Sequence, residues 1–280
     1  MTIVNNQNGY KILLVSACIA CGANAMLSSR VKKYLEMNHH LIVNDIDAAE
    51  YVVINGCGVT QWHENYSKNI IDKYVKKNKK VILIGCLSKI ADKKNLAQFY
   101  HDVFEKHFFI ISDLSELDDI FLTNTRIKEI IFSSHIGSTS VLSYNENQSR
   151  YAFFWDITLS LVKLYLRLLS YFGFTNIKLT AFQEMNVLNN TLSIEIAKGC
   201  KGNCSYCVIK KAKGNLSSRK VEEIINDISS HDIKNRKDIK TIHLIADDCG
   251  CYGHDINGTL LKLIQAIHEK FPHVAFHIPY

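Results

Sequence analysis

The chain has 280 residues, of which 47% are hydrophobic, and a formal net charge of +6. A chain of this length can bury the cores of two domains, and its scattered lysines permit a nucleic-acid partner without requiring one. The polar N-terminus predicts no signal peptide, and we expect a reducing cytoplasm. In that compartment the nine cysteines favour metal binding over a disulfide framework.

Up to about residue 140, short apolar runs alternate with helical segments. The runs predict strands over residues 11–16, 41–43, 51–55, 81–85 and 108–111, and the segments between and after them predict helices near 24–37, 61–77, 91–100 and 114–122. This alternation predicts an open parallel α/β sheet, which forms an N-terminal domain over residues 1–140.

Three cysteines of this region each come just after the end of a predicted strand: Cys21, Cys57 and Cys86. The carboxyl ends of parallel strands share one edge of the sheet, where ligands bind. We therefore expect a joint thiol site, with three unrelated core cysteines as the alternative. Cys18 lies close by in the sequence. It is either a spare thiol or the cysteine that belongs to this site in place of Cys21.

Residues 141–188 form a predicted linker that contains a strongly apolar helix over residues 151–174. Its polar residues draw one stripe down that helix: Asp156, Ser160, Lys163, Arg167 and Ser170. The charged members of the stripe argue against a membrane span. The wide apolar face can pack against the flanking domains, bind a partner chain or dock on a membrane surface.

A third predicted region, residues 189–280, opens with a strand over 192–197 that leads into Cys200-Lys-Gly-Asn-Cys204-Ser-Tyr-Cys207. Three thiols at this spacing can converge on one point and suit an iron–sulfur cluster, with a zinc loop or reduced core cysteines as alternatives. Helices near 220–229 and 259–270 and strands over 241–246 and 274–278 complete the region.

The Cys200–Cys207 loop resembles the cluster loop of radical S-adenosylmethionine (SAM) enzymes. The resemblance implies that Cys200, Cys204 and Cys207 hold a [4Fe–4S] cluster whose open iron binds SAM. Three further motifs resemble those of the methylthiotransferase family within that superfamily: Cys21, Asn24 and Ser28; Asn55, Cys57 and Val59; and Gly85, Cys86 and Leu87. By this resemblance, Cys21, Cys57 and Cys86 hold a second, auxiliary [4Fe–4S] cluster that carries or supplies the inserted sulfur.

The chain also departs from the family pattern near both cysteine sites. Ala20 replaces a Gly, Lys210 a Pro and Lys213 an Arg, and Ala246 and Asp247 stand where the family has Gly and Gln. The resemblance implies SAM contacts for Asp247 and Asp248. Cys249 and Cys251 are extra ligands or simple loop thiols.

The fold implied for residues 189–280 is an incomplete, TIM-like radical SAM β/α barrel. Either a partner chain completes this barrel, or the chain is a truncated or degenerate relative of the family. The implied activity is the insertion of sulfur and a methyl group into an unactivated C–H of a tRNA nucleoside or a protein or peptide substrate, with electrons from a flavodoxin- or ferredoxin-type donor. A truncated, non-catalytic iron–sulfur or interaction protein is the alternative. A zinc-binding nucleic-acid module is a weaker third hypothesis, because basic clustering is missing.

Overall fold

The computed structural model describes residues 9–18, 21–90, 107–121, 124–130, 134–136, 191–231, 233 and 239–278. These residues belong to one compact unit. The predicted helices over 91–100 and 151–174 lie outside the described residues. The domain boundaries near residues 140 and 188 stay predictions.

The first sheet has five parallel strands in the order β2-β1-β3-β4-β5. The strands are β1 (Lys11–Ser16), β2 (Leu41–Ile42), β3 (Tyr51–Gly56), β4 (Lys80–Gly85) and β5 (Phe108–Ile110). β3 is buried along its whole length, as expected for a strand of a parallel sheet that is covered on both faces. The open parallel α/β sheet predicted from the sequence is therefore confirmed.

Helices connect the strands of this sheet: α1 (Gly22–Met37), α2 (Gln61–Lys76), α3 (Cys86–Ile90) and α4 (Glu116–Phe121). A short 3₁₀ helix over Ile127–Glu129 follows α4. α2 begins after Thr60, whose side chain accepts a hydrogen bond from the His63 backbone N–H and so satisfies a donor that the helix itself leaves free.

A second sheet has the strand order β11-β10-β7-β6. Its strands are β6 (Ser134–Ile136), β7 (Thr191–Glu195), β10 (Thr241–Ile245) and β11 (Ala275–His277). β7, β10 and β11 are parallel, whereas β6 pairs antiparallel with β7. The sequence analysis does not predict β6, because three residues are too few to show a period, and pairing with β7 defines the strand.

Around this sheet lie α5 (Ile209–Lys213), α6 (Val221–Ser230) and α7 (Leu260–Lys270). Strands β8 (Ala197–Lys198) and β9 (Ser217–Ser218) form a separate two-stranded pair. α6 and α7 follow β9 and β10 and bury Ile224, Ile228, Leu263 and Ile267 against the sheet. This strand–helix order agrees with β/α units, and their completion as a partial barrel stays a prediction. Within the described part of the chain, no helix has the length and apolar character needed to cross a membrane.

Candidate functional site

The three predicted auxiliary cysteines lie at one edge of the first sheet. Cys21 is the N-cap residue of α1, Cys57 directly follows β3, and Cys86 opens α3 directly after β4. Because β3 is hydrogen-bonded to both β1 and β4, the turns that follow these strands are neighbours. The topology thus brings together thiols that are far apart in the sequence.

The thiols are electrostatic neighbours. Cys86 interacts with Cys21, and Cys57 interacts with both Cys86 and Cys18. A hydrogen bond with Cys18, together with burial, raises the pKa of the Cys57 thiol. Burial also raises the pKa of Cys21 and of Cys86. The four thiols therefore form one group, and their role as cluster ligands stays a prediction.

Cys18 and His63 add a feature that the sequence analysis did not assign. Ligand atoms of Cys18, Cys57 and His63 all lie within 4.8 Å of one another, and this is the one such group of three found among the residues that the structure describes. The sequence analysis did not assign His63, because a single histidine six residues after Cys57 matches no metal-ligand spacing pattern and its other partner, Cys18, is distant in the sequence. Only the packing of α2 beside the turn after β3 reveals it.

The other motif residues hold the strand ends together. The Asn55 side chain donates hydrogen bonds of 2.8 Å to the Asn24 carbonyl and to Ser28 Oγ. Gly85 has a φ of +91°, and a Cβ there would lie 2.2 Å from Asn55 Oδ1. Only glycine fits this position, both in conformation and in space. Asn24, Ser28, Asn55 and Gly85 are thus framework residues of the thiol site.

The Cys200–Cys207 loop follows β8 and forms a second site. Cys200, Cys204 and Cys207 line a hollow of about 360 Å³, together with Gly202, Asn203, Lys210 and Lys211. The Gly202 N–H donates a 3.2 Å hydrogen bond to Cys200 Sγ. A Cβ on Gly202 would lie 3.4 Å from Cys200 Sγ and 3.7 Å from Cys204 Sγ. These two thiols therefore flank the open space beside Gly202.

Two carboxylates at the end of β10 contact this loop. Asp247 Oδ2 accepts a 2.8 Å hydrogen bond from the Gly199 N–H. Asp248 accepts hydrogen bonds from Cys251 Sγ at 3.0 Å and from Cys200 Sγ at 3.7 Å, and the bond from Cys251 is the main cause of its lowered pKa. Both predicted SAM-contact residues thus lie beside the loop, and the contacts themselves stay predictions.

The two remaining thiols of this region differ. Cys249 is buried, and its thiol donates to the Leu244 carbonyl at 3.7 Å, so it packs against its own strand. The Cys251 thiol contacts Asp248 and interacts electrostatically with Cys200. Cys251 thus lies near the loop, whereas Cys249 has the contacts of a core thiol.

Lys213, at the end of α5, connects the two thiol sites. Burial acts to lower its pKa, but electrostatic interactions with Cys86, Asp247, Cys21 and Glu195 outweigh burial and raise that pKa. The side chain is therefore positively charged and interacts with Cys86. Nearby, the Lys211 ammonium donates to the Ile90 carbonyl at 3.2 Å, so α5 is anchored to α3.

A cavity of about 330 Å³ lies at this junction. Residues from the first sheet region line one side, including Met26, Arg30 and Ser88, and Glu195, Lys213 and Asp247 line the other. The volume is within the range of small-molecule pockets. The cavity therefore adjoins residues that contact both thiol sites.

Both cysteine sets suit iron–sulfur clusters on the chemistry of their donors. The open space beside Gly202 is bordered by loop thiols. At the other site, the buried Asn24 Nδ2 has no hydrogen-bond partner among the residues that the structure describes, although Asn24 Oδ1 accepts from Cys86 Sγ at 3.8 Å. An N–H donor beside a cysteine is suited to an anionic sulfur atom.

Comparison with known proteins gives a consistent result. Residues 14–104 match the uncharacterized protein family UPF0004. The chain is 24% identical over 249 residues to a probable threonylcarbamoyladenosine tRNA methylthiotransferase of Methanocaldococcus jannaschii, covering 88% of this chain and 47% of that protein. It is 26% identical over 249 residues to the ribosomal protein uS12 methylthiotransferase RimO of Syntrophomonas wolfei, covering 85% of this chain and 46% of that protein.

The chain thus spans about half the length of the curated relatives that it matches. Among solved structures, the cobalamin-dependent SAM radical enzyme OxsB aligns with a TM-score of 0.44 and 13% identity, over 96% of this chain and 38% of that chain.

Proposed function

We propose that this chain, which is similar to named methylthiotransferases over most of its length, is a radical SAM iron–sulfur transferase of the methylthiotransferase type. Cys200, Cys204 and Cys207 would hold the SAM-binding [4Fe–4S] cluster, and Cys21, Cys57 and Cys86 the auxiliary [4Fe–4S] cluster. The observation that carries the proposal is the electrostatic interaction of Lys213 with both Cys86 and Asp247, because it links the auxiliary thiols to the end of β10 beside the Cys200–Cys207 loop.

When bound, the clusters and SAM supply the electron, the radical chemistry and the sulfur. The chain's own residues bind and orient these groups. The Gly202 N–H donates a hydrogen bond to Cys200 Sγ and so helps to orient this sulfur atom within the loop. Asp247 fixes the start of the loop through Gly199 and lines the cavity, where its negative charge is suited to the SAM amino group.

Lys213 has a different role in this proposal. Its ammonium group lies among Cys86, Cys21 and Asp247 and partly balances the negative charge of the auxiliary site. An uncompensated group of thiolates in such a buried position would be costly. In this role Lys213 serves as a point charge, for which the planar guanidinium that the family motif carries at this position is not required.

The names of the relatives indicate a class of substrate rather than one particular substrate. One named relative acts on threonylcarbamoyladenosine tRNA and another on ribosomal protein uS12, so we propose a tRNA nucleoside or a protein side chain in the cytoplasm. A flavodoxin- or ferredoxin-type donor would reach the loop through the exposed Cys204, beside Lys210 and Lys211.

Anaerobic reconstitution tests this function. We expect about eight irons per chain, four for each cluster, and 5′-deoxyadenosine when SAM and dithionite are added. With tRNA or a uS12 peptide present, mass spectrometry should detect a product heavier by CH₂S. The matched control replaces Cys200, Cys204 and Cys207 by Ser and should keep only the auxiliary irons. A wild-type chain that binds no iron would refute the proposal.

A second candidate, a non-catalytic iron–sulfur protein, is favoured by one observation. Asp247 stands where the family has Gln, and one of its oxygens is occupied by the Gly199 N–H, which reduces its capacity to bind SAM. In that case both clusters form, but no 5′-deoxyadenosine appears, even with a candidate partner chain added. The same reconstitution therefore separates the two functions.

A further inference from the structure

Cys18, Cys57 and His63 form a compact ligand set beside the auxiliary thiol site. Their ligand atoms lie within 4.8 Å of one another. Two thiolates on one Zn²⁺ ion are about 3.8 Å apart, from a Zn–S distance of about 2.3 Å and tetrahedral geometry. Small side-chain movements would bring the Cys18 and Cys57 sulfur atoms from their present separation of at most 4.8 Å to the separation that zinc requires. In a four-iron cluster each cysteine binds a different iron, which spreads the sulfurs further.

The histidine is oriented for ligation. Thr60 Oγ1 lies 2.7 Å from His63 Nδ1, so this nitrogen is engaged and Nε2 is the one left to bind an ion. An outer partner that fixes the tautomer and the ring orientation is typical of histidine ligands. Thr60 also caps α2 through the His63 N–H, and the two contacts together hold His63 at the start of the helix.

Ser67 holds the backbone of two of the ligands. Its Oγ accepts a 3.0 Å hydrogen bond from the Cys57 N–H and lies 2.8 Å from the carbonyl oxygens of both Cys57 and His63. Ser67 is fully buried. The Cys57 turn and the first turn of α2 are therefore fixed relative to each other before any ion binds, which reduces the entropy lost on binding.

We propose that Cys18, Cys57 and His63 bind one Zn²⁺ ion. Two thiolates and an imidazole are ligands that Zn²⁺ prefers, and each thiol releases its proton on binding. Because Cys57 also belongs to the auxiliary set with Cys21 and Cys86, zinc and the auxiliary cluster exclude each other. The exclusion rests on the proposed function, whereas the zinc site does not.

Cobalt titration tests the zinc site, with Co²⁺ as the spectroscopic probe. The metal-free full chain is used under anaerobic reducing conditions, with Cys200, Cys204 and Cys207 replaced by Ser so that the loop does not contribute. We expect one Co²⁺ per chain with thiolate-to-cobalt absorption, displaced by Zn²⁺. Cys18→Ser and His63→Ala should each weaken Co²⁺ binding by at least about 10-fold, since ligand loss exceeds the effect of losing an outer partner.

Three controls locate the ion. Cys21→Ser, Cys86→Ser and His268→Ala, a histidine exposed on α7, should leave Co²⁺ affinity unchanged. Thermal melting of each variant checks that it folds. Loss of binding in Cys21→Ser and Cys86→Ser, with normal binding in Cys18→Ser and His63→Ala, would overturn the proposal. Absence of stoichiometric binding in the parent chain would overturn it as well.

A second measurement tests the exclusion. Wild-type chain loaded with Zn²⁺ before reconstitution should take up one four-iron cluster fewer than metal-free chain. The Cys18→Ser chain treated in the same way should take up both clusters. Full iron uptake by zinc-loaded wild type would overturn the exclusion. Failure of SAM cleavage would count against the proposed function alone, because the cobalt result does not depend on it.

Discussion

The two cysteine sites are built in opposite ways. Cys200, Cys204 and Cys207 come from one loop of eight residues, and Cys204 is exposed. Cys21, Cys57 and Cys86 come from three turns of one sheet, and Cys57 and Cys86 are 2% and 4% exposed. The first site depends on local chain geometry, whereas the second exists only when the sheet has formed. Changes at the loop should therefore affect chemistry, and changes around the sheet should affect stability as well.

The largest effect is expected at the loop. Cys204→Ala removes one of three proposed ligands, and we expect 5′-deoxyadenosine formation to fall at least about 100-fold, more than the loss of an outer-shell partner causes. The free energy of unfolding of the metal-free chain should change by less than about 0.5 kcal/mol, since the side chain is exposed. Activity assays and urea denaturation measure the two quantities. A large loss of stability would contradict the view that this site is local.

The next effect is expected at the sheet edge. Asn55→Ala removes two hydrogen bonds to Asn24 and Ser28 and leaves buried polar groups unpaired, so we expect the free energy of unfolding to fall by about 3 kcal/mol. Urea denaturation measures the loss. Asn65, exposed on α2, provides the matched control, and Asn65→Ala should change stability little. Equal effects of the two substitutions would show that the Asn55 network is not structural.

A smaller effect is expected from acid at the second sheet. Burial and the neighbouring His277 lower the pKa of His243 to about 4, so the unfolded chain binds a proton below its ordinary pKa of about 6.5 while the folded chain does not. The contribution of His243 to the free energy of unfolding is therefore full above pH 6.5 and is lost as the pH falls toward 4. At pH 5 we expect the loss to be about 2 kcal/mol.

Urea denaturation of wild type and His243→Gln at pH 7.5 and pH 5 isolates this contribution. The substitution should reduce the pH dependence by most of that amount, whereas His268→Ala on the surface of α7 should leave the dependence as it is in wild type. An unchanged pH profile in His243→Gln would assign the acid sensitivity to other groups, such as the buried His40, whose pKa burial also lowers.

Much of the architecture was predictable because it depends on short-range patterns. The buried runs that form β1, β3 and β4 are continuous and apolar, and such runs predict strands of a parallel sheet. β6 was not predicted, since three residues become a strand only through pairing with β7. The strands of the open sheet were thus predictable from their own residues, whereas β6 depends on a partner strand that is distant in the sequence.

The sequence by itself indicated a resemblance to methylthiotransferases, the parallel sheet and the candidate cysteines, because hydrophobic periodicity and motif spacing are properties of neighbouring residues. Only the tertiary structure decided which groups meet. It brings His63 and Cys18 to Cys57, and Lys213 to Cys86 and Asp247. Apart from Cys57 and His63, which are six positions apart, these residues are separated by tens to more than a hundred positions. Their distances follow from the packing of helices and strand ends, which no local pattern encodes.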